Sequence, residues 1–126
     1  MKRDNELIRQ LLLAIEDRPP GPPFSGSEIC PEDADPAVVA EHIRLLMDAG
    51  LIDALTRQYV EDLCLLPSRI KIGTITWKGH EFLDAIRSDT IWAKTKSKVA
   101  DAGGSVSLSV LGEVAGAIAK GMMGLS

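Results

Sequence analysis

Asp35-Pro36 at one end and Gly50-Leu51 at the other enclose a stretch whose punctuation leaves little choice but a helix. Asp35 carries the short acceptor side chain that answers the free amides of a helix start. Pro36, with φ preset near the helical value and no amide to leave unpaired, suits the first helical position. Gly50 can adopt the left-handed conformation that ends a helix, and Leu51 then falls where a Schellman ending sets an apolar residue against Leu46. Val39, Ile43 and Leu46 recur between them at helical spacing, so this helix, its glycine and the Leu51-Ile52 exit are expected to pack as one unit.

Other elements fall into place around it. Leu7, Ile8, Leu11, Leu12 and Ile15 share one face of a helix predicted over residues 4–17, with Asp4 as its cap. That helix must stop at Arg18, because Pro19 disfavours helix in the residue before it and Pro20, Pro22 and Pro23 cannot continue the ladder. A stiff loop and a short extended piece over 24–29 follow, and only residues 32–34 offer a helical turn ahead of Asp35. Beyond Ile52 the pattern changes to strand, with Leu55, Tyr59 and Val60 on an outgoing arm and Ile70, Ile72 and Ile75 on a returning one. Gly73 interrupts the alternation and predicts a bulge.

Thr76 is the expected cap of a third helix that ends at Arg87 and packs Trp77, Phe82, Leu83 and Ile86. Ser88 or Asp89 caps a fourth, with Ile91, Trp92, Thr95 and Val99 inward and its lysines outward. After a glycine break over 101–105, Ser107 caps a last helix over 108–123. The fold class predicted is mostly α with a small β-hairpin (α+β), with one domain over 1–100 and a glycine-hinged C-terminal helix over 101–126.

The 126 residues, 45% of them apolar, can build a core without disulfides or metal. Cys30 and Cys64 have no close Cys or His partners, so both read as plain thiols, and neither a metal nor a cofactor is expected. The opening Met1-Lys2-Arg3-Asp4-Asn5-Glu6 places acids too early for a secretory signal, which points to the cytoplasm. Net charge is −4, and the first fifty residues hold twice as many acids as bases, whereas dedicated DNA-binding domains usually carry a basic excess. The local basic stretch is 69–98, where a polyanion contact would fall.

The run Glu41-His42-Ile43-Arg44-Leu45-Leu46-Met47-Asp48-Ala49-Gly50-Leu51-Ile52, followed by a hairpin and by Thr76-Trp77-Lys78-Gly79-His80-Glu81-Phe82-Leu83, has the order of a winged-helix domain. More closely, the opening Met1-Lys2-Arg3-Asp4, the run from Thr76 to Arg87 and Gly104-Ser105-Val106-Ser107 resemble the bacterial and phage family catalogued as domain of unknown function 2513. The resemblance spans nearly the whole chain, and Trp77 to Arg87 is its most specific block. It implies a winged-helix-like fold with C-terminal helices in a bacterial or phage setting, and no particular activity. One departure stands out. A standard helix-turn-helix braces its recognition helix with a full preceding helix. Here sixteen residues rich in proline separate Arg18 from Asp35, so the brace is expected to be degenerate.

The function expected is that of a non-enzymatic regulator of transcription-factor kind. It would bind DNA weakly, through His42 and Arg44 on the helix and Arg57, Arg69 and Lys71 along the wing. The alternative is a winged-helix protein-interaction module, a homodimeric adaptor that does not bind DNA. Glu41 and Asp48 share the helix face with Arg44 and would oppose a polyanion. Lys94, Lys96 and Lys98 read as a solvated helix face. Neither His42 nor His80 comes with the Ser, Cys or carboxylate partner of a catalytic centre, so no enzyme is expected.

Leu108, Leu111, Ala115, Ile118 and Met122 repeat at spacings of three and four and form a heptad-like seam, read as a self-association surface. Val110, Gly112, Val114, Gly116 and Ala119 keep most of the remaining circumference apolar or small, so the helix calls for cover. Its sixteen residues, at about 1.5 Å each, fall short of a bilayer core. The partner expected is a second copy of the chain, and no membrane.

Overall fold

α1 runs from Asn5 to Glu16 and is capped by Asp4, whose carboxylate accepts from the amides of Glu6 and Leu7 at 3.0 and 3.3 Å. The structure, a computed structural model, describes residues 1–56 and 65–125. Arg57, Tyr59, Val60 and Cys64 lie outside the described residues. The chain resolves into two compact units, Met1–His80 and Glu81–Ser126. That division comes earlier than the glycine break at Gly103-Gly104. Among the described residues the fold is mostly α, with five α-helices and one three-stranded antiparallel sheet.

In the first unit, Leu7, Ile8, Leu11, Leu12 and Ile15 of α1 are all buried, as their spacing requires, and Arg9 is buried beside them. After the proline loop comes β1, Phe24–Ser25, and then one turn of 3-10 helix, Gly26–Ile29. Ser25 and Glu28 form a capping box on this turn: the Ser25 hydroxyl accepts from the Ser27 amide at 3.2 Å and the Glu28 carboxylate from the Ser25 amide at 3.1 Å. The helical turn ahead of α2 is therefore here rather than at 32–34, where a single bond from the Ala34 amide to Pro31 O closes only an isolated turn. No α-helix stands between α1 and α2.

α2, Pro36–Asp48, has the ends its sequence demands. The Asp35 carboxylate accepts from the Ala37 amide at 2.9 Å. At the other end Gly50 has φ +75°, and the amides of Gly50 and Leu51 donate to the carbonyls of Met47 and Leu46, both at 2.9 Å. That pair of bonds is the Schellman ending. β2, Ile52–Thr56, and β3, Ile70–Ile75, then pair antiparallel, and β1 joins the other side of β3, so the order is β1-β3-β2. The register jumps from Asp53–Thr74 to Ala54–Ile72, which leaves Gly73 as the extra residue of the expected bulge.

The run Thr76-x-x-Gly79 fastens the end of α2 to the start of α3, Trp77–Ile86. The Thr76 amide donates to Leu51 O at 3.0 Å and its hydroxyl to Gly50 O at 2.5 Å, while the same hydroxyl accepts from the Gly79 amide at 3.0 Å. Gly79 sits against this staple so closely that a Cβ there would lie 2.0 Å from Leu51 O and 2.6 Å from Ile75 Cγ2. Trp77 was expected to pack; it is 82% exposed. At about 100° per residue, nine positions separate it from buried Ile86 by roughly half a turn, so it points the opposite way.

In the second unit, α4, Asp89–Asp101, is capped by Ser88 and buries Trp92, Thr95 and Val99, with Lys94, Lys96 and Lys98 exposed. The buried Thr95 hydroxyl is satisfied by Ile91 O at 2.7 Å. α5, Leu108–Met122, is capped by Ser107 and packs on α4, with Gly112 beside the Phe82 ring. Among the described residues no helix is long and apolar enough to cross a membrane.

Candidate functional site

α2 carries two of the residues expected to meet DNA, and their environments differ completely. His42 is fully buried. Its Nε2 accepts from the Asp4 amide at 2.8 Å and its Nδ1 lies 2.8 Å from Val38 O. An accepting Nε2 leaves the proton on Nδ1, so the ring is a neutral bridge between the cap of α1 and the first turns of α2. The expectation that His42 reads bases is therefore corrected. Three residues after Val39 and four before Leu46, His42 belongs to the buried stripe, and that spacing was already visible in the sequence.

Arg44 does face outward, but what surrounds it is acidic. Its Nη2 is 2.8 Å from Glu41 Oε2, with Nε on the same oxygen at 3.2 Å, and its Nη1 is 2.8 Å from Asp48 Oδ2. These i,i+3 and i,i+4 pairs are the ordinary stabilising pairs of an exposed helix. The hydrogen bond and charge of Glu41, followed by the charge of Asp48, raise the guanidinium above its ordinary value. One cation held between two carboxylates leaves this face with a net negative charge.

The described wing cations are placed separately. Arg69 ends a 3-10 turn, Pro67–Arg69, and is half-buried. Lys71 is exposed on β3, opposite Ser25 on one side and Leu55 on the other. Arg57 lies outside the described residues.

Apolar surface is the more conspicuous feature of the first unit. Besides Trp77, Leu55 on β2 is 75% exposed. A cleft of about 470 Å³ opens between the end of α1, the proline loop and the bulged part of β3, lined among others by Ile15, Arg18, Phe24 and His80. Its rim is held in place by Arg18, which lies 3.9 Å over the Phe24 ring and 3.2 Å from Glu28. Among the described residues no three His, Cys, Asp or Glu side chains gather at metal-binding spacing.

The seam read on α5 is only partly available. Leu111 and Ala115 are 2% and 0% exposed, so they are covered within the chain and cannot also form an intermolecular contact. Leu108 and Ile118 are half-buried, and Met122 is exposed.

Comparison with known proteins adds a family. A family model described as "Hypothetical protein (DUF2513)" matches residues 2–105, ending between the glycine break and α5. A Haemophilus influenzae protein described as "Uncharacterized protein" is similar along its whole length, 34% identical over 131 residues, with 98% of this chain and 99% of that protein covered. No solved structure matches.

Proposed function

This chain belongs to the DUF2513 family, and from that premise we propose that it is a non-enzymatic, winged-helix-like protein-interaction module rather than a reader of DNA. The succession α1, β1, 3-10 turn, α2, β2, β3 follows the order of a winged helix whose brace is reduced to the turn Gly26–Ile29, which supports the fold half of this reading. The observation that carries the functional half is the clamp on Arg44. The helix that would enter a major groove offers one cation already answered by Glu41 and Asp48, on a face that repels phosphate. The loss of His42 to the interior removes the other polar reader from that helix. Trp77, by contrast, is the kind of exposed aromatic that anchors a protein contact.

Two measurements test the reading. Titration of a labelled random-sequence duplex at physiological salt is expected to show no saturable binding below about 0.1 mM, and Arg44→Ala is expected to change nothing. A micromolar or tighter complex that Arg44→Ala weakens, with a slope of log affinity against log salt of about −2 to −4, would restore the DNA reading through Arg44, Arg69 and Lys71. In the second, a photo-reactive phenylalanine analogue replaces the residue at position 77 and is irradiated in cells. Discrete protein adducts support the module, whereas nucleic-acid adducts, or none, overturn it.

A further inference from the structure

α5 turns Leu111 and Ala115 of its expected seam inward and thereby presents the opposite side to solvent. At about 100° per residue, Glu113, Gly116, Ala117 and Lys120 fall on one stripe, about half a turn from buried Leu111 and Ala115. These four residues, with Gly121 and Leu125, line an open groove. Gly116 and Gly121 each have nothing within 4 Å of where a Cβ would stand. Glu113 and Lys120 are exposed, and among the described residues neither forms an ion pair. They lie seven residues apart, too far to meet on their own helix.

We infer that the occupant of this groove is a second copy of the chain, docked α5 against α5 in antiparallel sense about a two-fold axis at Gly116-Ala117. The argument is one of charge. An isologous contact must be complementary to itself, and an acid and a base placed symmetrically about its centre satisfy that only when the helices run antiparallel. Glu113 then faces the partner's Lys120 and Lys120 faces the partner's Glu113, while Gly116 and Ala117 let the two backbones approach closely at the centre. A parallel pair would set Glu113 against Glu113 and Lys120 against Lys120. Val110, 41% exposed, lies on the flank of this stripe, and Leu125, 58% exposed, closes the end of the groove. A contact of one helix pair is at the small end of specific interfaces, so the association is concentration-dependent and weakens with salt. It does not rest on which macromolecule the first unit binds.

Sedimentation equilibrium of the full chain at low ionic strength is expected to show monomer and dimer. Glu113→Lys and Lys120→Glu should each weaken the dimer about tenfold, since attraction becomes repulsion at both symmetric contacts. Mixing the two variants in equal amounts should restore it as a heterodimer, because each then supplies the charge the other lacks. Gly116→Leu, whose side chain enters open space in the monomer, should leave thermal unfolding of the monomer intact and abolish association. A parent chain that stays monomeric up to about 1 mM, single variants that associate like the parent, or a mixture that fails to recover would each overturn the arrangement. A misfolded variant would not be rescued by mixing, so loss of fold and loss of the charge match give different results.

Discussion

Gly79→Ala is expected to lower stability by about 3 kcal/mol or more, or to leave no folded protein at all, against a total of about 5–15 kcal/mol for a domain of this kind. On helix propensity alone the change should help by about 1 kcal/mol. The clash decides the sign. The added methyl would stand 2.0 Å from Leu51 O, a backbone atom that cannot rotate away. Making room means parting the bonds from Thr76 to Leu51 and Gly50, and with them the packing of Leu51, Ile52 and Ile75, which are all buried. Urea unfolding followed by circular dichroism measures the loss. Gly116→Ala is the matched control, since nothing stands within 4 Å of the new atom; it should be neutral or stabilising by up to about 1 kcal/mol. Equal midpoints for the two variants would show that α3 approaches Leu51 less tightly than described.

His42→Ala carries the second large effect, about 2–4 kcal/mol, made of the cavity left by a fully buried ring and the loss of its bridge from the Asp4 amide to Val38 O. The change should also be local. Asp4 caps α1, so freeing its amide loosens the first turn of that helix, and hydrogen exchange at Asp4 should rise more than exchange in α2. His42→Gln, with an amide oxygen that can accept from Asp4, should recover part of the loss. A variant as stable as the parent but altered in nucleic-acid binding would contradict the buried role and return His42 to the exposed face of α2.

His42 and Trp77 mark the limit of what this sequence discloses. Helix ends were legible because caps are local chemistry: Asp4, Asp35, Gly50, Ser88 and Ser107 all act where their side chains and φ preferences placed them. The bulge at Gly73 was legible for the same reason. Helix rotation is harder to read. His42 is polar, yet its spacing from Val39 and Leu46 is that of the buried stripe. Trp77 is large and aromatic, yet it lies opposite Ile86. The 3-10 turn at Gly26–Ile29 shows no period in the sequence because four residues are too few for one, but Ser25 and Glu28 spell its capping box. The clamp on Arg44 was visible in outline, since Glu41 and Asp48 stand three and four residues away. Which side of α5 would be covered could not be read locally, because the packing of α4 decides it.

The Thr76 staple also governs how the chain between its two anchors can vary. Gly50 and Leu51 are held to Thr76 by bonds in which residues 57–64 take no part, so the end of α2 and the start of α3 are joined independently of how many residues run between Thr56 and Leu65. Loop-closure entropy grows only as the logarithm of length, and doubling such a connection costs about 0.6 kcal/mol. An epitope or a small reporter inserted there should leave that junction intact. The chain between Thr56 and Leu65 is therefore where this scaffold can be lengthened, labelled or given a new binding loop without loosening the Thr76 staple.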